Sequence, residues 1–148
     1  MKQKIMPPTV LGICLLLQIV FHYLLPVKEI VVTPYNYLGV IFILIGFTIN
    51  VWADALFKKA KTTVKPGETT SEMITSGPFC ISRHPMYLGM LLILLGTALV
   101  MGSVIVFLVP VVFVMIIQLF FVGMEERSME RAFGDAYLQY KKRVRQWI

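Results

Sequence analysis

The stretch SGPFCISRHPMYLG, near the middle of the chain, holds three side chains that can bind or exchange charge. Pro85 favours the first turn of a helix, and Ser82 or His84 could cap that turn. The N-terminus of a helix presents free N–H groups and a partial positive charge, which attract anions. Arg83 adds a fork of donors, His84 titrates near neutral pH, and Tyr87 lies two residues beyond the proline. The stretch therefore predicts a small site for an anion or a carboxylate.

Two carboxylates, Glu125 and Glu126, follow the last long apolar run of the sequence. A carboxylate at the edge of a membrane is costly, and such groups are usually paired or functional. If the apolar runs before and after Gly102 form antiparallel helices, Glu125 returns to the end of the molecule that holds His84. Arg83 and Glu125 could then grip the two opposite charges of a zwitterion.

A structural interpretation of the same residues stays open. Arginine and histidine often reach from the end of a span to the membrane surface, where tyrosine is also common. In that case Glu125 and Glu126 only form salt bridges with Arg83 or Arg127.

Other polar residues are expected to be structural. Asp54 should pair with Lys58, which lies one helical turn later. Cys14 and Cys80 form no spacing motif, so we expect neither a disulfide nor a zinc site. The sequence shows no cluster with metal-ligand spacing, and we expect no metal.

The composition indicates a membrane protein. The 148 residues are 57% hydrophobic and 15% charged, whereas soluble domains have about half apolar and about a quarter charged residues. The net charge of +6 could indicate nucleic-acid binding, but the basic residues lie at the ends of apolar runs, where they orient spans. We therefore expect one membrane domain in contact with lipid, and no nucleic-acid partner.

The predicted fold is an all-α integral membrane protein with about four spans, at residues 7–25, 37–57, 86–101 and 103–124. The first two have roughly the 20 residues that cross a ~30 Å hydrocarbon core. The last two form one apolar run that Gly102 and Ser103 divide, and they should pack as a tight helical hairpin. The third span is short, so we expect its outer end to be thinly buried. Pro110 is expected to kink the fourth span.

The basic residues predict the orientation. All but Lys28 lie at the N-terminus, between the second and third spans, or in the tail. The positive-inside rule then makes both termini and the segments 58–85 and 125–148 cytoplasmic; in a bacterial cell the membrane would be the inner one. The first span is longer than a signal-peptide core and no cleavage site follows it, so we expect it to be retained.

The tail after the two glutamates has the period of an amphipathic helix, interrupted or bent at Gly134. Its apolar positions recur at steps of three and four: Met129, Phe133, Tyr137, Tyr140, Val144 and Trp147. Such a helix could lie on the membrane surface or cover the bundle.

The order and spacing of these motifs resemble the integral-membrane methyltransferase family that includes isoprenylcysteine carboxyl methyltransferases and phospholipid N-methyltransferases. The matching pieces are TSGPF, RHPMYLG, EE and FGDAYLQYKKRV, which begin at residues 75, 83, 125 and 133. The resemblance covers about the last half of the chain. It implies S-adenosylmethionine as cofactor, bound at the cytoplasmic edge, and a lipophilic methyl acceptor that enters from the bilayer.

The resemblance also implies which residues form the site. Arg83 and Glu125 would position the reacting groups rather than act as acid or base. Residues expected to contact the cofactor are Ser71, Glu72, Met73, Ile74, Phe79, His84, Pro85, Met86, Tyr87 and Glu125. Phe79 stands where the family often has tyrosine. Phenylalanine can still stack through its ring, but it lacks the phenolic hydroxyl and its hydrogen bond.

One position departs from the prenylcysteine-specific members. Those proteins have an arginine four residues before the first glutamate, where it meets the substrate carboxylate, and this chain has Phe121. Unless Arg83 or Arg127 takes the role of the missing arginine, the sequence favours a neutral or amine-bearing methyl acceptor over a carboxylate. Two other functions stay open: an NADPH-dependent membrane reductase of related architecture, and a non-catalytic membrane scaffold.

Overall fold

The structure, a computed structural model, describes residues 6–25, 28–60 and 72–148. Within these ranges the chain forms six α-helices: α1 (Pro7–Leu24), α2 (Leu38–Lys59), α3 (Pro85–Met101), α4 (Leu108–Ile117), α5 (Gly123–Phe133) and α6 (Asp135–Arg143). Short 3₁₀ turns precede α2, α3 and α4, and the predicted all-α fold is confirmed.

Three helical segments are long and apolar enough to cross a membrane: Pro7–Leu24, Tyr35–Lys59 and Val104–Phe133. The fourth apolar helix, α3, is shorter at 17 residues, in line with the short third span that the sequence predicts. Its bounds follow from local chemistry. Pro85 occupies the first position, where the missing N–H is not needed, and Gly102 ends the helix in the left-handed conformation with φ of 71°.

The fourth span extends well beyond its predicted end. The chain stays helical from Val104 to Phe133, with a π-helical turn, Gln118–Val122, between α4 and α5. Pro110 lies in the first turn of α4, directly after a 3₁₀ turn, where proline is tolerated. Helix-forming residues continue past the two glutamates until Gly134, which has φ of 51° and breaks the helix there.

Helix α2 packs against α3 backbone to backbone. The two contacts join Gly46 to Gly89 and Gly39 to Gly96: a Cβ built on Gly46 would lie 2.4 Å from the carbonyl oxygen of Gly89, and one on Gly39 would lie 2.3 Å from that of Gly96. Small residues permit this close approach between membrane helices. Much of the remaining surface of α2 is apolar and exposed, as expected for contact with lipid.

The buried core lies on the other side of α3, between α1, α3 and α4. Leu94, Phe113 and Ile117 are fully buried there. Gln18 of α1 is also fully buried, and its amide donates to the carbonyl of Leu94 at 2.9 Å while its oxygen accepts from Thr97. A polar bond across helices in an apolar interior fixes the position of α1 against α3.

The tail turns back at Gly134 and covers the end of the bundle where α3 begins. The hydroxyl of Tyr140 donates to the carbonyl of Phe79 at 2.7 Å. The backbone N–H of Arg83 donates to the carbonyl of Arg145 at 3.0 Å. Of the two arrangements open from the sequence, the described tail therefore adopts the one that covers the bundle.

Candidate functional site

Five residues meet where α3 begins and the π-helical turn passes into α5. We call them the five-residue cluster: Arg83, His84, Tyr87, Glu125 and Glu126. The antiparallel course of α3 and the long helix Val104–Phe133 brings the two glutamates back to the start of α3, as the sequence predicts. Ser82 supports this start because its hydroxyl oxygen accepts the backbone N–H of His84 at 3.1 Å.

Glu125 forms the more accessible part of the cluster. Its carboxylate accepts a hydrogen bond from the hydroxyl of Tyr87, and its Oε2 lies 3.3 Å from Nδ1 of His84. The side chain is 21% exposed, and a carboxylate can accept about four hydrogen bonds. Glu125 therefore has acceptor capacity left for a ligand.

Glu126 is the buried anion of the cluster, with 11% of its side chain exposed. Its Oε1 lies 2.9 Å from Nη2 of Arg83, and its Oε2 lies 3.1 Å from Nζ of Lys141. The amide of Gln146 also donates to Oε1, at 3.2 Å. A buried carboxylate needs this number of partners, so Glu126 holds Arg83 and the tail together.

His84 lies between the two glutamates. Burial by itself lowers the pKa of its imidazole, but the adjacent carboxylates of Glu125 and Glu126 outweigh that effect, and the pKa lies above its ordinary value of 6.5. The two carboxylates therefore favour the protonated form of the ring. It also stacks on Tyr87, with ring centroids 5.6 Å apart and planes 11° from parallel.

Several donors of the cluster have no partner. The side chain of Arg83 is only 8% exposed, yet its Nε and Nη1 have no hydrogen-bond acceptor among the described residues. Nε2 of His84 is 3.5 Å from Glu126 and likewise makes no well-formed hydrogen bond within the described part of the chain. Buried donors are rarely left unpaired, so these atoms fit an anionic group of a ligand.

Phe121 takes no part in charge recognition. It is buried in the core and lies edge-on to Tyr87, with ring centroids 6.5 Å apart. Both candidates to replace the family's arginine have contacts of their own: Nη2 of Arg83 pairs with Glu126, and Nε of Arg127 donates to the carbonyl of Gly123 at 2.9 Å. Phe121 therefore leaves an apolar side chain at the position where the prenylcysteine-specific members have an arginine.

The other predicted cofactor contacts are not tested by this geometry. Pro85 is buried at the start of α3 and Met86 is half-buried. Phe79 is buried and packs edge to face on Phe57, at 5.5 Å. Glu72, Met73 and Ile74 form an irregular segment that makes no hydrogen bond to the cluster within the described chain, and Ser71 lies outside the described residues.

Sequence reasoning left out the residues that support the cluster from the tail. Lys141 bridges Glu126 and Glu130, and Gln146 bonds both Glu126 and Gln118. The apolar period of the tail predicted an amphipathic helix, but the polar residues between the apolar positions gave no indication of their partners. The structural interpretation is thus correct for Glu126, which pairs with Arg83, and Asp54 pairs with Lys58 at 2.6 Å as expected. Cys14 and Cys80 are free thiols.

Residues 35–136 match the model of a phospholipid methyltransferase family. The chain belongs to this family. The match spans α2 to α5 and includes the whole five-residue cluster. With its apolar helices, the protein is an integral membrane member of a methyltransferase family.

Two relatives match part of the chain. An uncharacterized protein of Haemophilus influenzae is 41% identical over 63 residues, which are 43% of this chain and all of that protein. The protein-S-isoprenylcysteine O-methyltransferase of Schizosaccharomyces pombe is 33% identical over 75 residues, which are 49% of this chain and 30% of that enzyme. No solved structure matches the chain.

Proposed function

We propose that the protein is an S-adenosylmethionine-dependent methyltransferase that methylates a lipophilic acceptor drawn from the bilayer. The observation that carries this proposal is that the start of α3 brings together an accessible carboxylate, Glu125, and an arginine with unpartnered donors, Arg83. These are the opposite charges that the amino-acid part of the cofactor needs.

The described residues fit the cofactor. Nε and Nη1 of Arg83 are free to bind its carboxylate, and Glu125 has acceptor capacity for its ammonium. The ring of Tyr87 could face the sulfonium, since aromatic rings attract cations. When bound, the cofactor supplies a methyl group on a positively charged sulfur, which needs only an aligned nucleophile.

The protein then has to align the cofactor with the acceptor and to exclude water from the site. Glu126 fixes the guanidinium of Arg83, and Glu125 fixes the hydroxyl of Tyr87. The tail covers the cluster through Gln146. A covered, rigid site lowers the entropy cost of bringing the two reactants together.

We further propose that the acceptor is neutral or carries an amine. Phe121 gives the inner side of the cluster an apolar surface. The free donors of Arg83 are assigned here to the cofactor, and Nε of Arg127 donates to the carbonyl of Gly123. Leu119 and Phe120 on the π-helical turn are exposed, at 73% and 61%. This turn therefore presents an apolar surface to lipid beside the cluster, and π-helical turns are frequent at functional sites.

Thermal unfolding of the purified protein with S-adenosylhomocysteine tests the cofactor. A ligand that binds the folded state at 100 times its Kd stabilises it by about 2.7 kcal/mol, so the unfolding temperature should rise. NADPH should have no effect. Glu125→Gln should abolish the shift, whereas Asp54→Asn, which changes an ion pair with Lys58 outside the cluster, should keep it. No shift in the unchanged protein with millimolar ligand would contradict the proposal and favour the scaffold, and a shift with NADPH alone would favour the reductase.

Methylation of a membrane-lipid extract with labelled cofactor tests the acceptor. Label should enter an apolar or amine-bearing compound, and the Glu125→Gln protein should not incorporate it. Label in a carboxyl methyl ester, which mild base releases as methanol, would show that the acceptor proposal is wrong while the cofactor proposal stands.

A further inference from the structure

A second polar site lies at the end of the bundle away from the five-residue cluster. The cavity there has a volume of about 790 Å³ and is bounded by the ends of α1 and α3 and by the connection that precedes α2. Helix α3, 17 residues long, separates it from the cluster by about 25 Å. A volume of this size can hold a small ligand, and the distance makes it independent of the proposed methyl transfer.

The backbone around this cavity is fixed to the turn between α3 and α4. The N–H groups of Ile30 and Val31 both donate to the carbonyl of Gly102, at 2.8 and 3.2 Å, and Glu29 pairs with Ser103 through an isolated antiparallel bridge. A Cβ on Gly102 would lie 2.4 Å from the carbonyl oxygen of Val31. The cavity is therefore held by direct backbone contact.

Two buried polar atoms of residues that line the cavity lack partners. Nδ1 of His22 and Oδ1 of Asn36 make no hydrogen bond to any described residue. His22 comes from α1, whereas Asn36 lies in the 3₁₀ turn before α2. Two separate elements thus bring unsatisfied polar atoms to one cavity, which indicates a ligand or water that supplies the missing partners.

The chemistry of the lining selects a cation with an apolar part. Glu29 is the one charged side chain among the described lining residues. Tyr23 also lines the cavity, and its ring lies edge-on to His22 at 5.1 Å, so an aromatic face is available to a cation. Val100 and Met101 add apolar surface from α3. An anion would be repelled by Glu29 and would find no lysine or arginine among the described lining residues.

We propose that this cavity binds the ammonium group of an amphiphile, with Glu29 and Asn36 as acceptors and the apolar chain against the end of α3. The amphiphile could be a membrane lipid with a primary-amine head group or a free alkylamine. The two share the chemistry that the cavity recognises, and the experiment separates them.

Thermal unfolding in a maltoside detergent measures the binding. The fluorescence of Trp52 and Trp147 reports unfolding without ligand contact, because neither lines the cavity. Dihexanoyl phosphatidylethanolamine and hexylamine should each raise the unfolding temperature by about 3–8 °C at saturation. Dihexanoyl phosphatidylglycerol, and hexanol with the same chain as hexylamine, should not.

Matched variants locate the effect. Glu29→Gln should weaken binding of the amine probes about tenfold, the effect expected when a charge-assisted hydrogen bond becomes a neutral one. His22→Leu should weaken it as well. Lys28→Gln is the control, because Lys28 is an exposed neighbour that does not line the cavity. If Glu29→Gln fails to fold, Asn36→Ala takes its place.

The outcomes separate cleanly. If hexylamine stabilises the protein and phosphatidylethanolamine does not, the site exists and its ligand is a free amine. If both stabilise the protein, the ligand is the head group of a lipid. Equal stabilisation by phosphatidylglycerol, an unchanged affinity in Glu29→Gln and His22→Leu, or no effect of any amine would overturn the proposal.

Discussion

Glu125 and Glu126 are adjacent in sequence but have different partners. Glu125 accepts from Tyr87 and stays partly exposed, whereas Glu126 is buried against Arg83 and Lys141. Consecutive helical residues point about 100° apart, so the pair can reach a ligand with one carboxylate and hold the fold with the other. Loss of Glu125 should therefore affect binding, and loss of Glu126 should affect stability first.

The first prediction concerns Glu126→Gln. This change leaves the guanidinium of Arg83 buried without its anion, and we expect the protein to lose about 2–3 kcal/mol of stability. Thermal unfolding in detergent measures the loss. The control is Asp54→Asn, which breaks the exposed pair with Lys58 and should cost less than about 1 kcal/mol. Equal losses in the two variants would mean that the buried pair has no special structural role.

The second prediction is a pH dependence from His84. The pKa of His84 is raised in the folded protein. Its contacts with Glu125 and Glu126 therefore stabilise the folded state, and this stabilisation is complete at pH values below the ordinary pKa of 6.5. That stability is lost as pH rises through the higher pKa of the folded state. As the pH rises above about 6.5, the unfolding temperature should therefore fall.

His84→Gln removes the titrating group and is the matched variant. Its unfolding temperature should be lower at pH 6 and change less across the same range. Parallel curves for the two proteins would show that another group causes the pH dependence.

At the scale of elements, the close contact of α2 and α3 depends on glycine. Gly39 and Gly46 in α2 are seven residues apart, as are Gly89 and Gly96 in α3, so the pairs lie on one face of each helix. The third prediction is that Gly46→Ala destabilises by about 1–3 kcal/mol, because its Cβ would meet the backbone of Gly89.

Gly12→Ala is the control for this substitution. Gly12 also lies within a helix, but a Cβ there would meet no atom within 4 Å. Alanine has the higher helix propensity, so this variant should be unchanged or slightly more stable. If both alanine variants unfold at the same temperature, α2 does not need its close approach to α3. Thermal unfolding of both proteins in one detergent makes the comparison.

The helices could be predicted from the sequence because apolar length and the break at Gly102 are local signals. The cluster could be anticipated too, since antiparallel packing of two adjacent spans is the simplest course for a short connection. Gln18 could not, because a single polar residue in an apolar helix does not reveal its partners on α3. The contacts of Gln146 were equally hidden, because they exist only after the tail turns at Gly134.

At the scale of the whole molecule, the two ends of the bundle differ in chemistry. The end with the five-residue cluster carries most of the basic residues, and the end with Gly102 carries Lys28 and Glu29. Basic residues favour the cytoplasmic side of a membrane. We propose on this ground that the cluster faces the cytoplasm, where a water-soluble cofactor can reach it while the acceptor arrives through lipid.

The fourth prediction tests this orientation with the protein's own cysteines. Cys80 is exposed beside the cluster, and Cys14 is buried with 3% exposure. In sealed cells a membrane-impermeant maleimide should leave Cys80 unlabelled until the membrane is opened. A Lys28→Cys, Cys80→Ser variant should be labelled at once, because Lys28 is exposed at the other end. Immediate labelling of Cys80 together with protection at position 28 would reverse the proposed orientation, and the cofactor would then have to be supplied from outside the cell.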